Sequence, residues 1–383
     1  MNFNLTKEQL LIQQTAKDFA EKVVAPLVDQ IEAEHTIPMT VFEQAGELGL
    51  LGIPFSEEYG GSEGGYDGYA LALEQIGKVS SSLSMAIMAH VLGLSIIDTF
   101  GTEAQKKLAI LPGCQGKHLT SLAFTEPGTG SDPKQITTTA KRDGDYFILN
   151  GTKRFITNSA FPGYMAVIAR ETESGKLTTF MIDKTASGYT TSEPWHKVAM
   201  NGGQLLDLYF KDYRIPAANI MGGVGDGFHH LEAGIGYGKL GISSFSLGLA
   251  QAAYEAGLEY AMQKMHRGAP IIKFQAIQLK VAEMYEKLTA ARLMLYKAAV
   301  DANTTSKKNQ ANFARDCAMT KDFLTQMARD IVNISMDIHA SYGLTEEYKI
   351  SRMYREAIMM PQIEGPAHIQ KIILANAIMA DYK

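Results

Sequence analysis

The chain has 383 residues and only two cysteines, Cys114 and Cys317. They lie far apart and outside any CxxC spacing, so no disulfide framework organises the fold. A reducing compartment, the cytoplasm, is the simple expectation. Positive charge is not in excess either: 36 basic residues face 41 acidic ones, for a net charge of -5. That balance excludes nucleic-acid binding through a general basic field. The opening residues, Met1-Asn2-Phe3-Asn4-Leu5, lack a basic leader followed by an apolar run. No apolar stretch reads as long enough to span a bilayer, so no membrane association is expected. Solenoid repeats and low-complexity tracts are missing too. The adjacent pair His229-His230 has no carboxylate company at ligand spacing, so no metal is expected.

What is present is ordinary globular composition, with 46% hydrophobic residues and enough length for two or three domains. The chain changes character twice. Residues 1–118 read as helical. Thr6 with Gln9 makes a capping box, Ile12, Ala16, Phe19 and Val23 recur at helical spacing, and Pro26 stops or kinks that run. Residues 119–228 read as short strands with polar turns. Asp143-Gly144 between two β-rich runs is a hairpin signal, and the whole segment suits a β-barrel or sandwich. Residues 229–383 return to helix, with two unusually long apolar-striped runs, Phe274 to Val300 and Gln310 to Ser341, as in a bundle. The fold class is therefore α+β, mostly α.

Three strings can carry chemistry. The first, Leu122 to Asp132 with the core Thr125-Glu126-Pro127-Gly128-Thr129-Gly130-Ser131, is a strand entering a turn of glycines and hydroxyls. Such a turn can aim N–H groups and hydroxyls at a phosphate or ring edge. The second, Asn150 to Asn158, sets Phe155 and Thr157 two apart on one side of a strand. The third, Met360 to Gln370, puts Glu364 after an apolar run and before Gly365-Pro366. Desolvation there would raise a carboxyl toward the working range of a base, although a solvated loop glutamate reads equally from that string alone. The nineteen methionines and Cys114, which follows Pro112-Gly113 in what reads as a loop, carry no clear role.

In this order and on this architecture, the three strings resemble the acyl-CoA dehydrogenase family, over essentially the whole chain. The resemblance implies an N-terminal helical domain, a middle β domain and a C-terminal four-helix bundle. It also implies FAD as cofactor, an acyl-CoA substrate, an electron-transfer flavoprotein as electron acceptor, and a homotetramer or dimer. It assigns Glu364 as the catalytic base, with its own N–H polarising the thioester carbonyl. Some members carry the base on the bundle helix, where this chain has Gly238. Leu122, Phe124, Thr125, Gly130 and Ser131 match the flavin-binding strand, with Ser131 also reaching toward CoA. Phe155, Ile156 and Thr157 match the residues against the flavin ring. Tyr237, Gly238, Lys239, Met85, Met88 and Gly365 fall at substrate-binding places, with Lys239 where an arginine beside the CoA tail is common.

The departures cluster at the FAD contact that the resemblance places across subunits. Lys264, His266 and Arg267 replace the usual pattern at the first strip, and Asp337, Ala340 and Ser341 at the second. Pro366 and His368 replace a hydroxyl residue and a glutamine. An unpaired Asp337 beside a pyrophosphate would be unfavourable, so altered FAD binding is one expectation. An enoyl-CoA reductase running the reverse reaction is the alternative activity. For the acyl group, Ser82 to Ala89 contains no arginine, which disfavours a terminal carboxylate. The small Gly238 fits a branched or cyclic acyl group.

Overall fold

The computed structural model describes residues 4–304 and 310–381. Its N-terminal part is helical: α1 (Lys7–Phe19), α2 (Val28–Glu34), α3 (Met39–Glu47), α4 (Gly65–Gly77), α5 (Ser81–Phe100) and α6 (Glu103–Cys114). The capping box forms as the spacing predicts, with the Thr6 hydroxyl accepting from Gln9 N–H and the Gln9 side chain accepting from Thr6 N–H. After α1 the chain unwinds through a π turn, Ala20–Val24, into a 3-10 turn holding Pro26. Proline offers no N–H to continue an α ladder.

Two readings of this region need correction. α5 is long and apolar enough, by length and composition, to cross a membrane. Yet 78% of that stretch is buried inside the protein, and α5 serves as a core helix. Cys114 lies in the last turn of α6, not in a loop. Burial pushes its thiol up to about 12, which removes it as a nucleophile near neutral pH.

The middle part is one hydrogen-bonded sheet of eight strands: β1 (Ser121–Ala123), β2 (Thr139–Asp143), β3 (Tyr146–Thr157), β4 (Tyr164–Glu171), β5 (Leu177–Asp183), β6 (Tyr189–Thr191), β7 (Leu205–Pro216) and β8 (Ile220–Met221). The spatial order is β6-β7-β3-β2-β4-β5-β8, with β1 parallel to β4. The Asp143-Gly144 signal is the β2–β3 hairpin, where Gly144 takes φ 58° and Asp143 pairs with Tyr146. Phe147, Leu149, Ile156, Val167 and Phe180 form the sheet's own core.

The C-terminal part holds α7 (Gly227–Gln263), α8 (Gln275–Ala302), α9 (Gln310–His339), α10 (Lys349–Met359) and α11 (Ala367–Asp381). A small hairpin, β9 (Met265–His266) with β10 (Ala269–Pro270), links α7 to α8. α7 packs along α9 and also against α4 and α5, so bundle and N-terminal helices share one core.

Candidate active site

The turn after β1 is fixed from beneath by a buried ion pair. Glu126 Oε1 lies 2.8 Å from Lys153 Nζ, with side chains 3% and 0% exposed. The same carboxylate accepts from the N–H and hydroxyl of Thr137 and from Thr138 N–H. Burial opposes its ionisation, but the Lys153 charge and these bonds outweigh it and hold Glu126 at about 2. Lys153 also donates to the carbonyl of Phe124. Paired bonds between Glu126 and Thr129 then close the turn. Gly130 and Ser131 are left outermost and exposed, with Leu122, Phe124 and Thr125 partly buried. Among the described residues, no protein group takes the N–H groups of Gly130 and Ser131 or the hydroxyls of Thr125 and Ser131.

β3 supplies the second face. Its register against β7 shifts between Lys153 and Ile156. Phe155, at φ 59° in this bulge, turns outward and is 48% exposed, while Ile156 is buried. Phe155 stands edge-on to Trp195 at 5.3 Å, and the Arg154 guanidinium lies over both rings. Asp207, 1% exposed, ties this group together by accepting from Arg154, Trp195 Nε1 and Phe155 N–H. Asp207 and Trp195 sit far from the three sequence strings, and their role was not legible there. Among the described residues, the Thr157 hydroxyl takes no protein partner.

α5 connects this face to the third string. Asn158, beside Thr157, donates from Nδ2 to Ala86 O, and Leu92, six residues on, abuts the Glu364 neighbourhood. Six residues of helix rise about 9 Å. Met85 and Met88 lie on the same helix, both buried. α5 thus runs from the flavin-side residues to the neighbourhood of Glu364.

Glu364 is held in a left-handed conformation, φ 56°, followed by Gly365 at φ 87°. A glutamate there stores strain, as residues at reacting centres often do. A Cβ built on Gly238 would lie 2.4 Å from Glu364 Oε2 and 2.4 Å from Leu92 Cδ1. The room left by Gly238 is therefore filled by the carboxylate and Leu92. This corrects the expectation that it opens space for a branched acyl group. The residue keeps a partial opening, but its carboxyl group is enclosed by protein, and desolvation raises it to about 7. Lys321 and then Lys239 pull in the opposite direction.

Lys321 is the residue the sequence strings missed. It lies on α9, is fully buried, and its Nζ donates to Pro361 O at 2.8 Å and Gly365 O at 2.6 Å, bracketing Glu364. Gln370 Nε2 adds bonds to the carbonyls of Glu364 and Gly365. The available signal was a lysine at a core position of an amphipathic stripe, beside Cys317, Ala318, Leu324 and Ala328. Lys239 is 5% exposed; burial lowers its pKa, while Cys317 and then Glu364 pull it the other way. Tyr237 stacks on Tyr66 at 4.5 Å and touches Phe313.

The remaining departures lie around the ends of α7, α9 and α11. Lys264 stands over the Tyr342 ring at 4.6 Å, and His266 packs on Phe274. Arg267 takes φ 48° in the β9–β10 turn. Asp337 is paired with Lys280 at 2.8 Å, which relieves the repulsion foreseen for it. Ser341 and His368 are exposed, and Pro366 precedes α11. Ala340, just past α9, takes φ 52°. That backbone suits glycine and costs an L-residue about 1–2 kcal/mol. Ala340→Gly should therefore stabilise the protein by up to about 1 kcal/mol after glycine's extra unfolded-chain entropy. Thermal melting checks this: the variant's Tm is expected to rise by about 1–2 °C.

A flavin fits the donors present. The hydroxyls of Thr125, Ser131 and Thr157 and the N–H groups at Gly130 and Ser131, unengaged among the described residues, and an outward aromatic pair suit a ring system and its phosphates.

Comparison with known proteins identifies the family. Profiles of the acyl-CoA dehydrogenase N-terminal, middle and C-terminal domains match residues 6–117, 121–213 and 225–379. A probable acyl-CoA dehydrogenase of Bacillus subtilis, YngJ, is 37% identical, over 99% of this chain and 100% of that protein. A 3-(aryl)acrylate reductase of Clostridium sporogenes is 32% identical, over 98% of this chain and 99% of that protein. The structure of butyryl-CoA dehydrogenase from Megasphaera elsdenii superposes with a TM-score of 0.93 at 32% identity, covering 99% of this chain and 100% of that one. This chain belongs to the acyl-CoA dehydrogenase family and is an FAD-dependent oxidoreductase of acyl-CoA redox chemistry.

Proposed function

We propose that the chain oxidises an acyl-CoA thioester to the 2,3-enoyl-CoA, with Glu364 removing the α proton. The observation that carries this is the Glu364 carboxylate, enclosed against Gly238 and Leu92 and raised to about 7 by burial. Such a group is ionised often enough at neutral pH to act as a base, and basic enough to take a carbon-bound proton. Its own N–H has no protein acceptor among the described residues and is assigned to the thioester oxygen, where negative charge builds as the proton leaves. Bound FAD supplies the acceptor for the β hydride at N5. Thr125 and Thr157 would hold the ring through their hydroxyls, and the Phe155–Trp195 pair would pack against it. Lys321 and Gln370 keep the base loop in place. The C–H bonds at the α and β carbons break and a C=C bond forms between those carbons.

The acceptor for the two electrons is an electron-transfer flavoprotein. The working form is a homotetramer or dimer, consistent with Leu279, Tyr285 and Leu293 left in solvent along α8. A cytoplasmic location fits two free, buried cysteines. The reverse reaction, enoyl-CoA reduction, is a second reading, favoured by the relative named as a reductase. The same residues serve both directions.

Anaerobic titration of the purified holoenzyme with acyl-CoAs tests the proposal. Bleaching of the visible flavin band is expected. A spectrum that no acyl-CoA changes, together with ready reoxidation of the reduced enzyme by an enoyl-CoA, would favour the reductase reading.

A further inference from the structure

Tyr69, on α4, is a polar group that the chemistry above does not use. It is 1% exposed, and its hydroxyl has no hydrogen-bond partner among the described residues. The neighbouring Tyr66 differs: its hydroxyl bonds to Ser95 Oγ at 2.9 Å. A buried donor left unmade is costly, so few are kept without a purpose.

Its place gives it one. A Cβ built on Gly241 would lie 2.7 Å from the Tyr69 hydroxyl oxygen and 2.5 Å from Met88 Cγ. Gly238, three residues earlier on α7, faces the Glu364 carboxylate and Leu92 in the same way. Hydroxyl and base therefore lie along one face of α7, roughly one turn or about 4.5 Å apart along its axis. Met88 and Leu92 of α5 line the interval. The ring is held edge-on by Tyr66, which stacks on Tyr237. Burial, and then the Glu364 charge, keep the phenol neutral, so it remains a donor at any working pH. That negative charge also disfavours a carboxylate as its partner.

We propose that Tyr69 floors the acyl pocket and donates a hydrogen bond to a neutral oxygen on the acyl group, a few carbons beyond the α carbon. The substrate class is then a short acyl-CoA bearing a keto, ether or hydroxyl oxygen at its far end. This rests on the acyl-CoA reading above.

The test compares two CoA esters of equal length, hexanoyl-CoA and 5-oxohexanoyl-CoA, by anaerobic bleaching of the wild-type and Tyr69→Phe holoenzymes. The wild type is expected to half-bleach at an at least about tenfold lower concentration of the oxo ester. In Tyr69→Phe the ratio between the two esters should fall toward one. Because the phenylalanine removes an orphaned hydroxyl, its Tm should match or exceed that of the wild type. Wild-type bleaching without preference, a preference that survives in Tyr69→Phe, or a fall in Tm would each overturn the inference alone. Bleaching by neither ester, nor by any other acyl-CoA, would instead remove the dehydrogenase reading beneath it, and the inference with it.

Discussion

Glu364→Gln is expected to slow flavin bleaching by acyl-CoA about 10²- to 10⁴-fold while leaving FAD content unchanged. The magnitude is that of a positioned general base. Glutamine keeps the volume beside Gly238 and Leu92 and keeps the backbone N–H assigned to the thioester oxygen. It removes only the capacity to take a proton. The fold should not suffer, because no protein donor bonds to the Glu364 carboxylate among the described residues and its burial disfavours the charge. Stopped-flow absorbance with one acyl-CoA, alongside the resting spectrum, checks both halves. A variant that bleaches at the wild-type rate would place the base elsewhere.

Lys321→Met should damage the site from behind. The lysine donates two charge-assisted bonds to the carbonyls on either side of the base. Each is worth about 1.5–3 kcal/mol, so stability should drop by about 3 kcal/mol or more. Looser placement of Glu364 should lower the bleaching rate about 10²-fold. The change in pH dependence separates positioning from general damage. Lys321 is the larger of the two charges that pull the Glu364 pKa down against burial. Without it the base stays protonated to higher pH, so the rise of rate with pH should move to the alkaline side. A variant that loses stability and rate but keeps the wild-type midpoint would show that Lys321 only braces the loop.

These two residues also mark where the sequence was informative. Local signals carried the fold: the Thr6–Gln9 box, the Asp143-Gly144 turn and the two long striped helices appear where their spacing places them. α5 is apolar enough to span a bilayer yet packs as a core helix, serines included. In the helix Ser84 and Ser95 donate to the carbonyls of Ser80 and Val91, so they cost the core little. Glu364 was legible because base and strained loop lie within one short string. Lys321 was not, since its partners lie 40 and 44 residues away and only packing of α9 joins them. Asp207 was hidden likewise: its donors come from β3 and from the segment before β7. Tyr69 was not legible either, because an unpaired hydroxyl is a property of surroundings and not of spacing. Asp337 shows the converse, a departure that looked unfavourable until Lys280 proved to be beside it.

The most direct measurement is the pH dependence of single-turnover flavin bleaching in the wild-type holoenzyme. A base raised to about 7 by burial must lose its proton before it can act. The rate should be low in acid, rise through a single ionisation near neutrality, and level off above it. A rate that is flat across neutrality, or that falls as pH rises, would contradict Glu364 as the group that takes the α proton.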